Sequence, residues 1–370
     1  MSKRGKILVA MSGGIDSTVA AMLLHDEGYE VIGVTMKTWD YAHSGGSKKE
    51  TGCCSLDSLQ DARRVAVDMG FHHFILDLRE EFGEAVIDDF VSEYLAGRTP
   101  NPCILCNTHI KWDALLRRAD ALSCEWIATG HYARTRQEEG RHFISRAADL
   151  QKDQSYVLWG LSQECLQRTV FPLGDMQKPE VRAIAQTRGY QELAGKAESY
   201  EICFIPDNDY RDFLRRREPD KLKALEGGLF VDAEGRVIGR HDGYPFFTIG
   251  QRKGLGAAFG KPMFVSEIHP ESNVVVLSDA QEMPTRTMDI ARVNWQKRDN
   301  PTDDQPYVTK IRYRDPGQFS TIQRTQEGAR IFFSGSVKSI APGQSAVVYD
   351  GPDLLCGGII CPPIIDRELQ

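Results

Sequence analysis

Short apolar runs alternate with amphipathic stretches through the first part of the chain. Lys6–Met11 (KILVAM), Val31–Met36 (VIGVTM), Phe74–Leu78 (FILDL) and Trp126–Thr129 are continuous enough in apolar character to predict buried strands. Between them, Thr18–Glu27, Ser55–Met69 and Ile110–Leu122 carry helical periodicity. A further helix is predicted where Phe82, Val86, Phe90 and Tyr94 recur at every fourth position, stopped by Gly97 and Pro100. Strand and helix in alternation predict a parallel sheet covered by helices. The Gly-, Ser- and Lys-rich stretch His43–Thr51 has no core pattern and is expected to be a loop. After Pro206 the pattern changes. Arg211–Lys223 is dense in charge, residues 228–243 alternate as short strands, and from Thr287 onward strands recur at short spacing, as in a compact barrel. The expected organisation is an α/β domain over residues 1–209, a small mostly-β domain over 210–280 and a β-barrel over 281–370.

Composition excludes several classes. With 370 residues, 41% hydrophobic and 26% charged, the chain is neither disordered nor fibrous and is long enough for two or three domains. No run reaches the roughly 18 apolar residues of a membrane span. Met1–Gly5 has no secretory pattern, so a cytoplasmic location is expected. A net charge of -7 argues against a generic nucleic-acid binder, yet between Arg286 and Lys338 ten Lys or Arg stand against six Asp or Glu. Nine cysteines, an odd number, point to metal, redox or catalytic thiols rather than to a disulfide framework.

The first strand runs into Ser12-Gly13-Gly14-Ile15-Asp16-Ser17 and then a helix, a geometry that binds phosphate on backbone N–H groups. Neither a Walker loop nor a dinucleotide fingerprint is present. The order resembles the PP-loop of the ATP pyrophosphatases, which cradles pyrophosphate while AMP passes to a substrate oxygen. That resemblance implies ATP contacts from Ala10, Met11, Ser12, Gly13, Gly14, Ile15, Asp16 and Ser17, with Met36 at the adenine, Gly130 passing close to the nucleotide, and Asp16 helping to hold Mg²⁺. The plainer account is a capped glycine turn.

Thr99-Pro100-Asn101-Pro102-Cys103-Ile104-Leu105-Cys106-Asn107 is a proline-stiffened segment presenting two thiols near a helix start, where the dipole favours the Cys106 thiolate. Cys203 lies in Ser199–Pro206 (SYEICFIP). Structural zinc is the alternative, but no second pair of ligands stands at the necessary spacing. The adjacent Cys53 and Cys54 cannot easily share one tetrahedral ion, and Cys124, Cys165, Cys356 and Cys361 sit in apolar surroundings suited to inert buried thiols.

The series SGGIDS, TPNPxxxCN, GHYAR, KDQSYVLWGL, SYEICFIP, GQRKGLG and APGQSAVVYDG spans nearly the whole chain. In that order it resembles the bacterial tRNA-specific 2-thiouridylases, sulfurtransferases of the PP-loop superfamily that thiolate C2 of the wobble uridine. The resemblance implies an N-terminal adenine nucleotide alpha hydrolase-like sheet with flanking helices, a small central domain and a C-terminal barrel. It also implies that ATP adenylates the C2 oxygen, that Cys203 carries sulfane sulfur as a persulfide from a donor protein of a cysteine desulfurase relay, and that Cys106 resolves the product through a Cys106–Cys203 disulfide. A variant releases hydrosulfide first. The expected substrates are the tRNAs for Glu, Gln and Lys.

Where many family members carry Asp, this chain has Cys103, a thiol with an unperturbed pKa of about 8.5 in place of about 3.9. Three cysteines, Cys103, Cys106 and Cys203, then resemble thiolation enzymes that hold a [4Fe-4S] cluster with one open iron. Both routes stand open at this point.

For tRNA, the resemblance implies contacts from Asn101, Pro102, Cys103, His131, Lys152, Asp153, Gln154, Arg312, Tyr313 and Gln344. Strand alternation places Lys310, Arg312 and Arg314 on one face, a phosphate track, with Tyr313 opposite. Gly250–Gly254 is a second basic loop. The rival functions are a PP-loop amide-forming ligase, which needs no paired thiols, and a non-catalytic RNA-binding nucleotide sensor.

Overall fold

A computed structural model describes residues 4–39, 56–196, 202–205, 207–256, 259–279, 285–302 and 305–363. The loop expected at His43–Thr51 and the pair Cys53 and Cys54 lie outside the described residues. Strand β1 (Lys6–Ala10), helix α1 (Ile15–Asp26), strand β2 (Glu30–Lys37), helix α2 (Leu56–Met69) and strand β3 (His72–Asp77) begin a parallel sheet. Ile7, Leu8 and Val9 are wholly buried because β1 lies in its centre, covered on both faces. The expectation of a buried third strand is corrected. β3 forms the sheet's edge, and Phe74 and Ile75 are exposed.

Helices α3 (Arg79–Phe82) and α4 (Asp88–Leu95) are joined by a wide π turn, Gly83–Ile87. An apolar spacing of four exceeds the 3.6 residues of an α-helical turn, so a wider turn keeps Phe82, Val86, Phe90 and Tyr94 buried on one face. Helices α5 (Pro102–Leu105) and α6 (Asp113–Ala121) flank a second π turn, Cys106–Trp112. Strand β4 (Trp126–Thr129) follows, then the hairpin β5 (Ala133–Glu138) and β6 (Arg141–Arg146), helix α7 (Gln163–Gln167), strand β7 (Thr169–Val170), and helices α8 (Lys178–Thr187) and α9 (Gln191–Gly195). The finished parallel sheet has the order β3-β2-β1-β4-β7.

Helices α10 (Tyr210–Arg217) and α11 (Pro219–Lys223) lead into strands β8 (Gly228–Val231), β9 (Val237–His241), β10 (Phe264–His269) and β11 (Val274–Ser278), paired in the order β10-β11-β8-β9. The last domain contains β12 (Thr285–Trp295), β13 (Tyr307–Lys310), β14 (Gln318–Arg324), β15 (Gly328–Val337), β16 (Ser345–Asp350) and β17 (Asp353–Ile360). They form the sheet β12-β15-β14-β13-β16-β17, and pairing of β12 with β17 closes it into an antiparallel barrel. The mixed α/β class with a terminal barrel is therefore observed.

The barrel is fastened to the first domain by buried polar groups. β6 pairs with β17 at Ser145 and Asp353. The wholly buried Gln296 accepts from the Ile144 N–H and donates to the carbonyls of Leu158 and Trp159, each at 3.0 Å. Tyr156 Oη donates to the Ser345 carbonyl at 2.7 Å. Removing any one partner strands a buried polar group, so the domains hold a fixed relation.

His241 is wedged between Phe230 and Phe247 in the central core, and burial lowers its pKa to about 4. The folded-state value lies below the unfolded one, so its contribution to stability is complete above about 6.5 and is lost as pH falls toward 4. We expect the thermal midpoint to decline across that window, and His241→Phe to flatten the decline.

Candidate functional site

At the end of β1 the chain turns through Gly13, with φ of +69°, into α1. Ser17 Oγ accepts from the Ser12 N–H at 3.0 Å and donates to the Gly14 carbonyl at 3.1 Å, closing the loop on itself. Gly14 caps α1 with no side-chain hydrogen bond. The helix N-terminus therefore has the open N–H groups and positive dipole end that suit a phosphate. Met11 and Ile15 send their side chains into the core, so only their main chain is available to a nucleotide. Met36 is half-buried at the end of β2, which Thr35 ties to the loop by donating to the Met11 carbonyl at 2.7 Å. A Cβ at Gly130 would stand 2.6 Å from the Ser17 nitrogen, so this glycine lets the loop after β4 press onto the first turn of α1.

Sequence reasoning missed Lys178. It is buried, and its Nζ donates to both oxygens of Asp16, at 2.6 and 2.8 Å. Tyr132 Oη donates to Asp16 Oδ1 at 2.8 Å. A signal existed in the sequence: a lysine beside Pro179 at the start of α8 opposes the helix dipole and needs a partner elsewhere. Both oxygens of Asp16 thus hold the Lys178 ammonium, so a Mg²⁺ taking this carboxylate together with substrate phosphates would have to displace that contact.

The two-cysteine segment is helical from Pro102, with Asn101 before it. Cys103 stands in the first turn and is exposed, whereas Cys106 is a turn further on and 8% exposed. The expectation that the helix start activates Cys106 is corrected, because the dipole acts within the first turn. Desolvation by the surrounding protein raises the Cys103 thiol pKa, although the Lys111 charge opposes the shift. Phe204 packs against Phe82, Phe90 and Phe213 and thereby brings the Ile202–Ile205 segment to the core that contains Cys106, with Cys203 half-buried at its margin. Ser199–Glu201 and Pro206 lie outside the described residues. No disulfide joins Cys103, Cys106 and Cys203, and no group of three metal-ligating side chains converges among the described residues. The three thiols as they stand do not fit an iron–sulfur cluster. Cys124, Cys165 and Cys356 are buried with raised pKa values, but Cys361 is partly exposed, contrary to expectation.

His131 links the two centres. It follows Gly130, its Nδ1 lies 2.8 Å from Thr129 Oγ1, and its ring stands 5.4 Å from that of Trp112 on the cysteine helix. Burial, with Lys111 adding repulsion, lowers its pKa to about 3, so the ring is neutral at physiological pH. The pH–rate profile is expected to lack an ionisation near 6.5 from this residue.

The proposed cationic strand face is corrected. β13 ends at Lys310, and residues 311–315 form a turn, held where the Asp315 carboxylate accepts from the N–H groups of Ile311 and Gly317, each at 3.0 Å. Arg312, Tyr313 and Arg314 are exposed on it. Tyr313 Oη donates to the Asp153 carbonyl at 3.2 Å, and its ring packs edge-on to Tyr156. The Asp153 carboxylate accepts from the N–H groups of Ala147 and Ser155, and Gln154 Oε1 accepts from the Tyr132 N–H. Both side chains therefore shape the loop from within; Lys152 is beside them. Gly250–Gly254 exposes Arg252 and Lys253.

An anion-binding helix start and a pair of thiols, in a parallel-sheet domain to which a barrel is fastened, define a PP-loop nucleotide-dependent enzyme. Family models match all three parts: the tRNA methyl transferase HUP domain at residues 5–207, the tRNA methyl transferase PRC-barrel domain at 211–279, and the aminomethyltransferase beta-barrel domain at 285–360. The tRNA-specific 2-thiouridylase MnmA of Amoebophilus asiaticus is 58% identical over 97% of this chain and 96% of its own length. That of Cytophaga hutchinsonii is 58% identical over 97% and 98%, and that of Salinibacter ruber 52% over 97% and 95%. The chain belongs to the tRNA-specific 2-thiouridylase family. Among solved structures, a 4-thiouridine synthetase–RNA complex with bound ATP aligns with TM-score 0.36 at 18% identity, covering 59% of this chain and 51% of that one.

Proposed function

We propose that the chain catalyses ATP-dependent 2-thiolation of the wobble uridine of tRNA. The observation that supports this reading is that the segments bearing Cys106 and Cys203, distant in sequence, pack on one apolar core, and that the Cys106 helix reaches the phosphate loop through Trp112, His131 and Gly130. A uracil C2 oxygen is a poor leaving group. Its attack on the α-phosphorus of ATP expels pyrophosphate, and Ser12, Gly13, Gly14 and Ser17 hold the departing anion at the start of α1. Asp16 is the carboxylate that would hold Mg²⁺, which neutralises phosphate charge.

The terminal sulfur of a Cys203 persulfide, supplied by a sulfur-donor protein, then attacks C2 and AMP departs. The Cys106 thiolate attacks the Cys203 Sγ, freeing thiouridine and leaving a Cys106–Cys203 disulfide, which an external thiol reduces. Cys103, its pKa raised, stays protonated at neutral pH and is a poor proton acceptor at the position where the family resemblance implies a carboxylate in many members. Asn101 and Pro102 border the target base, and Lys152, Arg312 and Tyr313 take the RNA, the tyrosine by stacking.

The test is incubation of protein, ATP, Mg²⁺, a sulfur source and unmodified tRNA, with thiouridine detected by retarded migration in a mercury-containing gel. No product with the wild-type protein overturns the reading. Binding of tRNA without pyrophosphate release supports a sensor instead.

Affinity for tRNA should depend only modestly on salt. Arg330 pairs with Asp289, Lys297 with Asp350 and Asp353, and Arg298 with Asp350, so three of the ten cations between Arg286 and Lys338 already hold carboxylate partners. A salt slope implying more than about ten phosphate contacts contradicts this.

A further inference from the structure

The loop before the cysteine helix is where all three domains meet. From the central domain, Thr248 Oγ1 accepts from Thr99 Oγ1 at 3.2 Å, and Pro270 packs so close to Gly97 that a Cβ there would lie 2.6 Å from it. From the barrel comes the turn between β15 and β16. The Thr99 N–H donates to the Pro342 carbonyl at 2.8 Å, and Gln344 Nε2 donates to the carbonyls of Thr99 at 2.9 Å and Pro100 at 3.0 Å. Gln344 is itself anchored, because its main-chain carbonyl accepts from the Ile360 N–H at 2.8 Å. Gly343 has φ of +88°, and a Cβ on it would be 3.0 Å from Arg98 Cβ and from the Thr99 nitrogen and oxygen. The barrel turn is thus moulded to the loop. One amide group satisfies two successive carbonyls, those of Thr99 and Pro100, just ahead of the helix.

We propose that Gln344 is a positioning residue: it fixes the entrance of the cysteine helix and so sets where Cys103 and Cys106 stand. The family resemblance implies that Gln344 touches the base. The geometry commits both donors of its amide to the protein before any RNA arrives. The consequence for sulfur transfer rests on the thiolation reading; the consequence for the loop does not.

Three full-length variants test this. Gln344→Met keeps the reach and removes the donors. Gln344→Glu keeps the shape and turns two acceptors toward the two carbonyls. Gly343→Ala presses on the same loop from the neighbouring position. In the absence of RNA and nucleotide, alkylation of the buried Cys106 by iodoacetamide, mapped by mass spectrometry, should be several-fold faster in each folded variant than in the wild type. For Gln344→Met, kcat of thiolation should fall about 10- to 100-fold, as expected for a small displacement of reacting groups, while the KM for tRNA stays within about threefold. Unchanged alkylation in every variant whose melting shows it folded overturns the proposal. So does a large rise in the KM for tRNA with kcat retained, which is the behaviour of a base contact.

Discussion

Replacing Cys203 by alanine should abolish thiouridine formation, by at least about a thousandfold, while tRNA-dependent pyrophosphate release from ATP persists. The two steps use different groups. Adenylation draws on the phosphate loop and the uridine oxygen, whereas Cys203 enters only when sulfur is delivered. Phe204, not Cys203, anchors the segment in its core, so truncating the thiol leaves the segment's packing in place. Cys106→Ser should fail differently. Without the second thiolate, the species in which C2 is joined through two sulfurs to Cys203 has no internal route to product. Under non-reducing conditions a protein–tRNA adduct should accumulate and should be cleaved by added thiol. Product formation at the wild-type rate in Cys106→Ser with no adduct would falsify the resolving role and favour release of hydrosulfide. An amide-forming ligase predicts no effect of either substitution, which makes the pair decisive between enzyme classes.

Much of the site was legible because local chemistry dictates it. A strand running through two glycines into a helix start has the open N–H groups that suit an anion, and the proline-rich cysteine segment announces a stiff entry to a helix. Long-range pairings were not legible. β5 and β6 carry an alternating pattern around Glu139-Gly140, both at positive φ, which is a hairpin signal, but nothing nearby shows that β17 is the partner. The stretch Lys310–Arg314 misled for an identifiable reason. Its alternation suggested a strand, but Asp315-Pro316-Gly317 follows, and the carboxylate of Asp315 captures the N–H groups that a ladder would have used. β3 misled because an apolar run alone does not distinguish a central strand from an edge. The pairing of Lys178 with Asp16 joins residues far apart in sequence, and only the lysine's poor fit to its helix start hinted at it.

Gly13→Ala should be the most damaging small substitution in the nucleotide loop, and comparison with two other glycines separates its causes. A Cβ at Gly13 would lie 2.0 Å from the Ser58 carbonyl oxygen, a backbone atom, and the residue also holds φ of +69°. Clash and backbone strain together are expected to cost about 2–4 kcal/mol. Gly28, at φ of +88°, has nothing within 4 Å of where a Cβ would stand, so Gly28→Ala isolates the backbone strain at about 1 kcal/mol and should leave ATP binding intact. Gly130→Ala isolates the clash, because its Cβ would meet the Ser17 nitrogen at 2.6 Å with no positive φ involved. Thermal denaturation with and without ATP and Mg²⁺ reads all three. The wild type and Gly28→Ala should gain stability from the nucleotide, whereas Gly13→Ala should lose most of that gain. Gly130→Ala should lose part of it, since the intruding methyl displaces the first turn of α1 rather than the loop itself. A full nucleotide-induced shift in Gly13→Ala would mean that the phosphates bind elsewhere, since a loop pushed off Ser58 cannot keep its N–H groups aimed at one anion.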